Sequence, residues 1–270
     1  MSEVDAETTL PTCYRHPERS TRLACSSCER PVCVDCVQPA AVGQKCPECA
    51  QGDPRARVVQ PRRESSPVAF TLLALNVLVF FLAASGGAPS FLQPQVNAVV
   101  AAGRWPVIFT AAFLHADITH LLFNMWALYI FGPQLERVAG SAPFAALYTA
   151  AAAAGGAAFY LLGDPGGVAV GASGAIFGLF GAYLAIAYRA RRTPAGAAGF
   201  RQLLLLLGLN LALPLLVPRI AWQAHLGGLL AGALIAGLWA LLRARRVRSP
   251  VLGTLVAVGV GLLALLPVVV

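Results

Sequence analysis

The spacing of apolar and polar positions changes abruptly near residue 67. Before it the chain is polar and punctuated by paired cysteines; after it, apolar residues run in long blocks separated by short stretches that carry arginine. A block of about 20 apolar residues is what a helix needs to cross about 30 Å of hydrocarbon. On that measure seven spans are expected, over 67–84, 117–135, 142–162, 171–188, 201–217, 221–242 and 250–269. Residues 85–116, with Pro89, Pro94, Arg104, Trp105 and Pro106, are too polar to span and read as a long external loop lying at the interface.

Composition agrees with a membrane protein. The 270 residues are 57% apolar and 12% charged, with a mean hydropathy of +0.68, whereas soluble domains run at about 45–50% and about 25%. The net charge of +8 is unevenly placed. Residues 1–66 hold nine basic and nine acidic side chains, while residues 67–270 hold eleven basic ones and only Asp117, Glu136 and Asp164 as acids. The surplus arginines lie between apolar blocks instead of on one soluble face, which excludes nucleic acid as a partner.

Arginine placement also predicts orientation. Arg55–Arg63, Arg137, the group Arg189, Arg191, Arg192 and Arg201, and Arg243–Arg248 all fall on one side if the spans alternate. By the positive-inside rule that side is cytoplasmic, with the carboxyl terminus outside. The first ten residues are polar and acidic, with no apolar signal-peptide core before Val68. A multi-pass protein of the plasma (inner) membrane with a cytoplasmic amino terminus is expected.

All seven cysteines lie in the polar head, as Cys13-x2-His16, Cys25-x2-Cys28, Cys33-x2-Cys36 and Cys46-x2-Cys49. An odd number of cysteines in a reducing compartment fits disulfides poorly. Eight ligands in four close pairs make two closed tetrahedral sites, so two structural Zn²⁺ ions are expected and catalytic zinc is not. The order of pairs resembles the B-box type of small zinc domain. That resemblance implies one site from Cys13, His16, Cys33 and Cys36 and another from Cys25, Cys28, Cys46 and Cys49; spacing alone leaves sequential pairing open. The head is expected to bind a protein partner or to serve as a folded cap.

Three histidines, His115, His120 and His225, lie in or beside expected spans, where an ionisable side chain costs about 2.5–3.5 kcal/mol. Each alone could be an interhelical hydrogen-bonding group, and a lone serine in a span is ordinarily a packing residue. The combination is harder to read that way. His120 and Asn124 share a helix face, with Asp117 as a helix cap. Gly171-Ala172-Ser173-Gly174 places Ser173 at a helix start, where free N–H groups favour a developing negative charge. Gly174-x3-Gly178 and Gly228-x3-Gly232 give spans 4 and 6 small-residue stripes that permit close approach. His225 would then reach Ser173 as general base. No acid is well placed for a third member: Glu136 lies at the far end of its span and Asp164-Pro165-Gly166-Gly167 reads as a turn. A Ser–His dyad is expected, with the imidazole packed against Phe177.

Taken together, His115-x4-His120-x3-Asn124, Gly171-x-Ser173-Gly174 and Ala224-His225-x-Gly227-Gly228 resemble the rhomboid family of intramembrane serine proteases, over about residues 67–245. The resemblance implies an all-α polytopic fold with a six-helix core, an added carboxyl-terminal span, and a serine-type endopeptidase acting on transmembrane protein substrates. It implies that Ser173 is the nucleophile and His225 the base. It further implies that His120, Asn124 and the Ser173 N–H form the oxyanion hole, with His115, Gly171, Gly174 and Phe177 in support and Glu136 as a structural contact. Pro106 and Val107 stand where many members carry a Trp-Arg pair. The expected organisation is a disordered segment 1–12, a B-box-like zinc domain 13–50, a basic linker 51–66, the protease core 67–245 and the extra helix 246–270. A catalytically silent scaffold binding client helices is the alternative function. A histidine-relay transporter would call for repeats or mid-span charges that the sequence lacks.

Overall fold

A computed structural model describes residues 10–40, 43–51, 65–217 and 220–270. The chain divides after Glu64 into two units, Met1–Glu64 and Ser65–Val270. Most of the expected disordered segment, residues 1–9, and most of the expected linker, residues 52–64, lie outside the described residues.

In the first unit, strand β1 (Thr12–Cys13) pairs antiparallel with β2 (His16–Ser20), and β3 (Gln38–Pro39) with β4 (Gln44–Lys45), followed by the short helix α1 (Pro47–Gln51). Cys13 lies opposite His16 across the first hairpin, so both point to one locus. Among the described residues, the buried apolar side chains are Val32 and the cysteines 13, 25, 33, 36 and 46. A core this small cannot stabilise a fold without cross-links.

The second unit is helical. Helix α2 (Pro67–Ala84) is followed by strand β5 (Gln95–Val96) and two short helices, α3 (Asn97–Ala101) and α4 (Val107–Ala111). Then come α5 (Ile118–Ala139), α6 (Ser141–Leu162), strand β6 (Val168–Ala169), α7 (Ser173–Ala190), α8 (Pro194–Leu216), α9 (Trp222–Ala244) and α10 (Pro250–Val269). Among the described residues, six helices are long and apolar enough to cross a membrane: α2, α6, α7, α8, α9 and α10. The seventh expected span, α5, has 22 residues, but His120, Asn124, Gln134, Glu136 and Arg137 lower its hydropathy. It packs against α2 and α7 within the bundle.

Two boundaries differ from expectation. The fifth span begins at Pro194, not 201, because Thr193 caps it, accepting from the Gly196 N–H at 3.1 Å, with proline in the first turn. Arg201 therefore lies inside α8 and not in a loop. Residues 85–116 are also more ordered than a loop: they contain α3 and α4, and β5 pairs antiparallel with β6, just before Gly171.

Helix α6 is the hub, packed against α7, α9 and α10 and buried along Ala150–Ala157. Small residues set the spacing of α7 and α9. A Cβ at Gly228 or Gly232 would overlap the carbonyl oxygens of Gly174 and Gly178, so only glycine permits this backbone contact.

Glu136 fastens the other end of the bundle. Its buried carboxylate accepts from Val68 N–H (3.1 Å), Ala69 N–H (2.8 Å) and Ser141 Oγ (2.6 Å), tying α5 and α6 to the start of α2. These are charge-assisted bonds at a helix N-terminus. Glu136→Ala leaves the buried Ala69 N–H and the half-buried Val68 N–H without their partner and should destabilise the membrane unit by about 3 kcal/mol. A shift of less than 1 °C in its melting temperature in detergent would contradict that role.

Candidate active site

Ser173 is the first residue of α7 and His225 lies in the first turn of α9. The close α7–α9 contact brings His225 Nε2 to 2.9 Å from Ser173 Oγ. Phe177, one turn along α7 from Ser173, stacks on the imidazole with ring centroids 4.2 Å apart and planes 6° from parallel. No carboxylate among the described residues forms an ion pair with His225. The imidazole is therefore oriented by an aromatic face and by its helix.

The segment before Ser173 is shaped by glycine. Gly171 has φ +116°, and a Cβ there would press on the His120 ring, 2.7 Å from Nε2. Gly171 N–H donates to Ala111 O (2.9 Å), fixing the segment to the end of α4. The first helical bond of α7 runs from Ile176 N–H to Ala172 O (3.0 Å). The preceding N–H groups, that of Ser173 included, are the unpaired donors of a helix start.

Asp117 caps α5 by accepting from His120 N–H at 2.8 Å. The Ala116 N–H lies 3.5 Å from His120 Nδ1, which favours the tautomer with its proton on Nε2, the nitrogen beside Gly171. Asn124 is buried and donates one amide hydrogen to His120 O (2.9 Å), leaving its second donor. His115 packs edge to face on His120, centroids 5.1 Å apart, with both ring nitrogens buried and unpaired. Gly174 is buried between α6 and α9, near Gly155 and Ala224. A cavity of about 30 Å³, lined by Gln95, Gly156, Gly171 and Ser173 among others, adjoins the hydroxyl. It has room for about one water.

Two residues that the sequence did not flag hold this region together. Gln95 Nε2 donates to Gly156 O (2.8 Å), and Asn97 Nδ2 donates to Phe159 O (3.1 Å) and Asp164 O (3.0 Å). Both are buried. They clamp the segment between α2 and α4 to the end of α6 and to the Asp164 turn, which is closed by Gly167 N–H to Asp164 O at 2.8 Å.

In the first unit, Cys13, His16, Cys33 and Cys36 converge, as do Cys25, Cys28, Cys46 and Cys49, with the ligand atoms of each set within 4.8 Å of one another. The first and third pairs thus meet, as do the second and fourth. All seven cysteines are free thiols. His16 Nδ1 lies 3.3–3.9 Å from three sulfurs, and Cys28 Sγ lies 3.8 Å from Cys46 Sγ. Tetrahedral bonds of about 2.3 Å put sulfurs about 3.8 Å apart, so the donors fit a metal ion of zinc's size. The backbone N–H of Cys46 helps hold the Cys25 thiol down, to about 6, toward the thiolate that binds metal.

Arg30 supports the second cluster. Its Nε donates to Cys28 Sγ (3.3 Å), and it pairs with Glu48 (3.4 Å) while lying over the Tyr14 ring. Only its position two residues after Cys28 could have marked it in the sequence. Arg30→Ala should weaken metal affinity at that cluster by about 10–100-fold. Competition with a calibrated chelator measures this, and an unchanged affinity would remove Arg30 from the metal's support.

A hydroxyl and an imidazole 2.9 Å apart at one end of a bundle of membrane-length helices place the chain among polytopic membrane proteins with a serine and a histidine in hydrogen-bond reach. The chain belongs to the rhomboid family: the Rhomboid domain model matches residues 102–242, just over half of it. It is 33% identical over 204 residues to Rhomboid protease GluP of Bacillus subtilis (strain 168), covering 72% of this chain and 39% of that protein. It is 37% identical over 150 residues to YdcA of the same organism, covering 56% of this chain and 75% of YdcA. RHOMBOID-like protein 1 of Arabidopsis thaliana is 36% identical over 129 residues, covering 47% of this chain and 33% of that protein. The chain therefore spans about two fifths of the length of GluP.

Proposed function

We propose that this protein is an intramembrane serine endopeptidase that cleaves transmembrane segments of membrane-protein substrates with Ser173 as nucleophile and His225 as general base. The observation that carries this reading is the 2.9 Å contact between His225 Nε2 and Ser173 Oγ. In the proposed reaction, Ser173 Oγ attacks the scissile carbonyl carbon while Nε2 of His225 takes its proton. The resulting oxyanion accepts from the Ser173 N–H, His120 Nε2–H and the free Asn124 Nδ2–H. Collapse expels the amine, which takes the proton from His225, and a water activated by the same imidazole releases the acyl group. Phe177 holds the ring plane that these transfers require, and His115 braces His120.

Substrate access is assigned to α8. None of the described residues of its span is fully buried, it packs chiefly on α7, and Leu203 and Leu207 are its contacts with the Phe177, Phe180 and Leu229 cluster. A helix held by so few contacts can lean away and admit a substrate strand beside Ser173. A disulfide locking α8 to α5 should abolish cleavage until reduced; unchanged cleavage in the oxidised protein would rule the gate out.

The arginine distribution supports the plasma membrane orientation with a cytoplasmic amino terminus. The two clusters of the first unit are read as structural zinc sites, B-box-like in their pairing. When bound, zinc would cross-link the knuckles; the protein partner of this head is of unassigned chemistry. The segment boundaries given above, with a core over 67–245 and an added helix over 246–270, complete the reading. A silent scaffold would not need the hydroxyl and imidazole to meet.

The test is labelling of the purified protein in detergent with a serine-reactive fluorophosphonate. Wild type should label, and Ser173→Ala and His225→Ala should not. Signal persisting in Ser173→Ala would discard the assigned nucleophile.

A further inference from the structure

At the end of the bundle opposite Ser173 lies a second, larger cavity of about 460 Å³. It is lined by the end of α5 (Val138, Ala139), the start of α6 (Pro143), the end of α9 (Trp239, Arg243) and the residues just before α10 (Arg248, Ser249). His225 and Arg243 sit at the two ends of α9, about 27 Å apart along its axis. The cavity thus takes no part in the dyad.

Its chemistry is sharply divided. The inner wall is apolar, with Trp239 9% exposed and its Nε1–H spent on Gly253 O (2.9 Å). The mouth is cationic. Arg243 is steadied there by one bond from Nη2 to Val138 O (3.2 Å), which leaves most of its five donors for a ligand. Arg248 makes no hydrogen bond or ion pair in the structure, among the described residues. Arg245 and Arg246 crowd the same turn, and Arg246 has φ +61°, a left-handed conformation that usually falls to glycine. The turn therefore places four guanidinium groups within six residues at some backbone cost.

Among the described residues, no carboxylate pairs with them. Of the three acids in this unit, Asp117 caps the far end of α5, Asp164 sits in the turn after α6, and Glu136 is buried against the start of α2. At and beside the mouth, Val138, Leu241 and Val251 are 57–66% exposed, an apolar skirt around the turn between α9 and α10. A cationic mouth, an apolar wall and an apolar skirt at the end of two membrane-length helices match one amphiphile.

We infer that this cavity binds the phosphate of an anionic membrane phospholipid, its headgroup held by Arg243, Arg248 and the Ser249 hydroxyl and its acyl chains lying along the α9–α10 face. Basic pockets between membrane helices on the cytoplasmic side take such headgroups, and each arginine near the surface contributes about 1 kcal/mol of attraction. The site is independent of whether Ser173 is active.

The test uses the full chain in neutral detergent, with retained lipid counted by native mass spectrometry during titration with dioleoyl phosphatidylglycerol, dioleoyl phosphatidylcholine or inorganic phosphate. Wild type should retain one phosphatidylglycerol in preference to phosphatidylcholine. Arg243→Gln/Arg248→Gln should weaken that binding by about tenfold or more. Arg248→Gln alone, which removes no internal hydrogen bond, should weaken it measurably in a protein of unchanged melting temperature. Arg191→Gln/Arg192→Gln, with the same loss of charge elsewhere, should bind as wild type does.

Equal retention of both lipids, wild-type binding by the double variant, or an equal loss in the Arg191/Arg192 control would each overturn the proposal. So would displacement of the lipid by millimolar inorganic phosphate, which would assign the cavity to the free ion.

Discussion

Replacing Ser173 by alanine is expected to lower kcat for cleavage of a fluorogenic transmembrane peptide, in reconstituted vesicles, by about 10⁴–10⁶-fold. The reason is geometric. The hydroxyl 2.9 Å from His225 Nε2 is the nucleophile in the proposed reaction, and without it only the oxyanion donors and substrate positioning remain. His225→Ala should fall to a comparable level, because an isolated serine hydroxyl at neutral pH is a poor nucleophile. The double variant should be no slower than either single one, since two groups that act as a unit are lost together. Phe177→Ala should show a smaller loss, mostly in kcat, because it frees the ring that the stacking holds at 4.2 Å without removing a reacting atom. Activity above one hundredth of wild type in Ser173→Ala, or independent losses that multiply in the double variant, would remove the dyad from the mechanism.

Metal removal should have the second large effect, confined to the head. Structural zinc binding carries about 10–16 kcal/mol in small domains, far more than the apolar core formed by Val32 and the cysteines can supply. A strong chelator should therefore abolish amide protection across residues 13–49 and release two zinc ions per chain, while fluorophosphonate labelling of the membrane unit persists. The same release should follow as pH falls, because protons compete with metal for thiolates. A Cys25 thiol held at about 6 instead of 9.0 delays that competition to lower pH. Retained protection after the metal has gone would show that the head folds on its own. Loss of labelling would show that the dyad depends on it.

Much of the site was legible because it follows from local rules. Serine between Gly171 and Gly174 at a helix start, histidine on a glycine stripe, and asparagine four residues from histidine are patterns of spacing, and helical geometry turns spacing into position. The Asp117 cap and the turn at Asp164 follow for the same reason: their hydrogen bonds close within three residues. The start of α8 was equally local, since Thr193-Pro194 is a cap followed by proline. Hydropathy does not mark it, because Gly196, Gly199 and Arg201 interrupt the apolar run over its first turns.

Other features had no local signal. Gln95 and Asn97 make their bonds to backbone groups more than 60 residues away, and a polar side chain in a loop looks the same whether it is solvated or clamped. The order within residues 85–116 depends on that clamp and on the two-residue pairing of β5 with β6. Neither strand is long enough to show an alternating pattern.

What the chain alone decides, then, is which segments enter the bilayer, where the helices that carry Ser173, His120 and His225 begin, and which side chains can ligate metal. Those properties depend on hydropathy, spacing and donor chemistry over a few turns. Contact is decided only by packing: the approach of α7 to α9 that glycine permits, the register that brings the first cysteine pair to the third, and the gap at the α9–α10 turn that leaves arginines around a cavity. Each of these joins residues far apart in the chain, and the free energy that selects among such pairings belongs to the assembled whole and to no single segment.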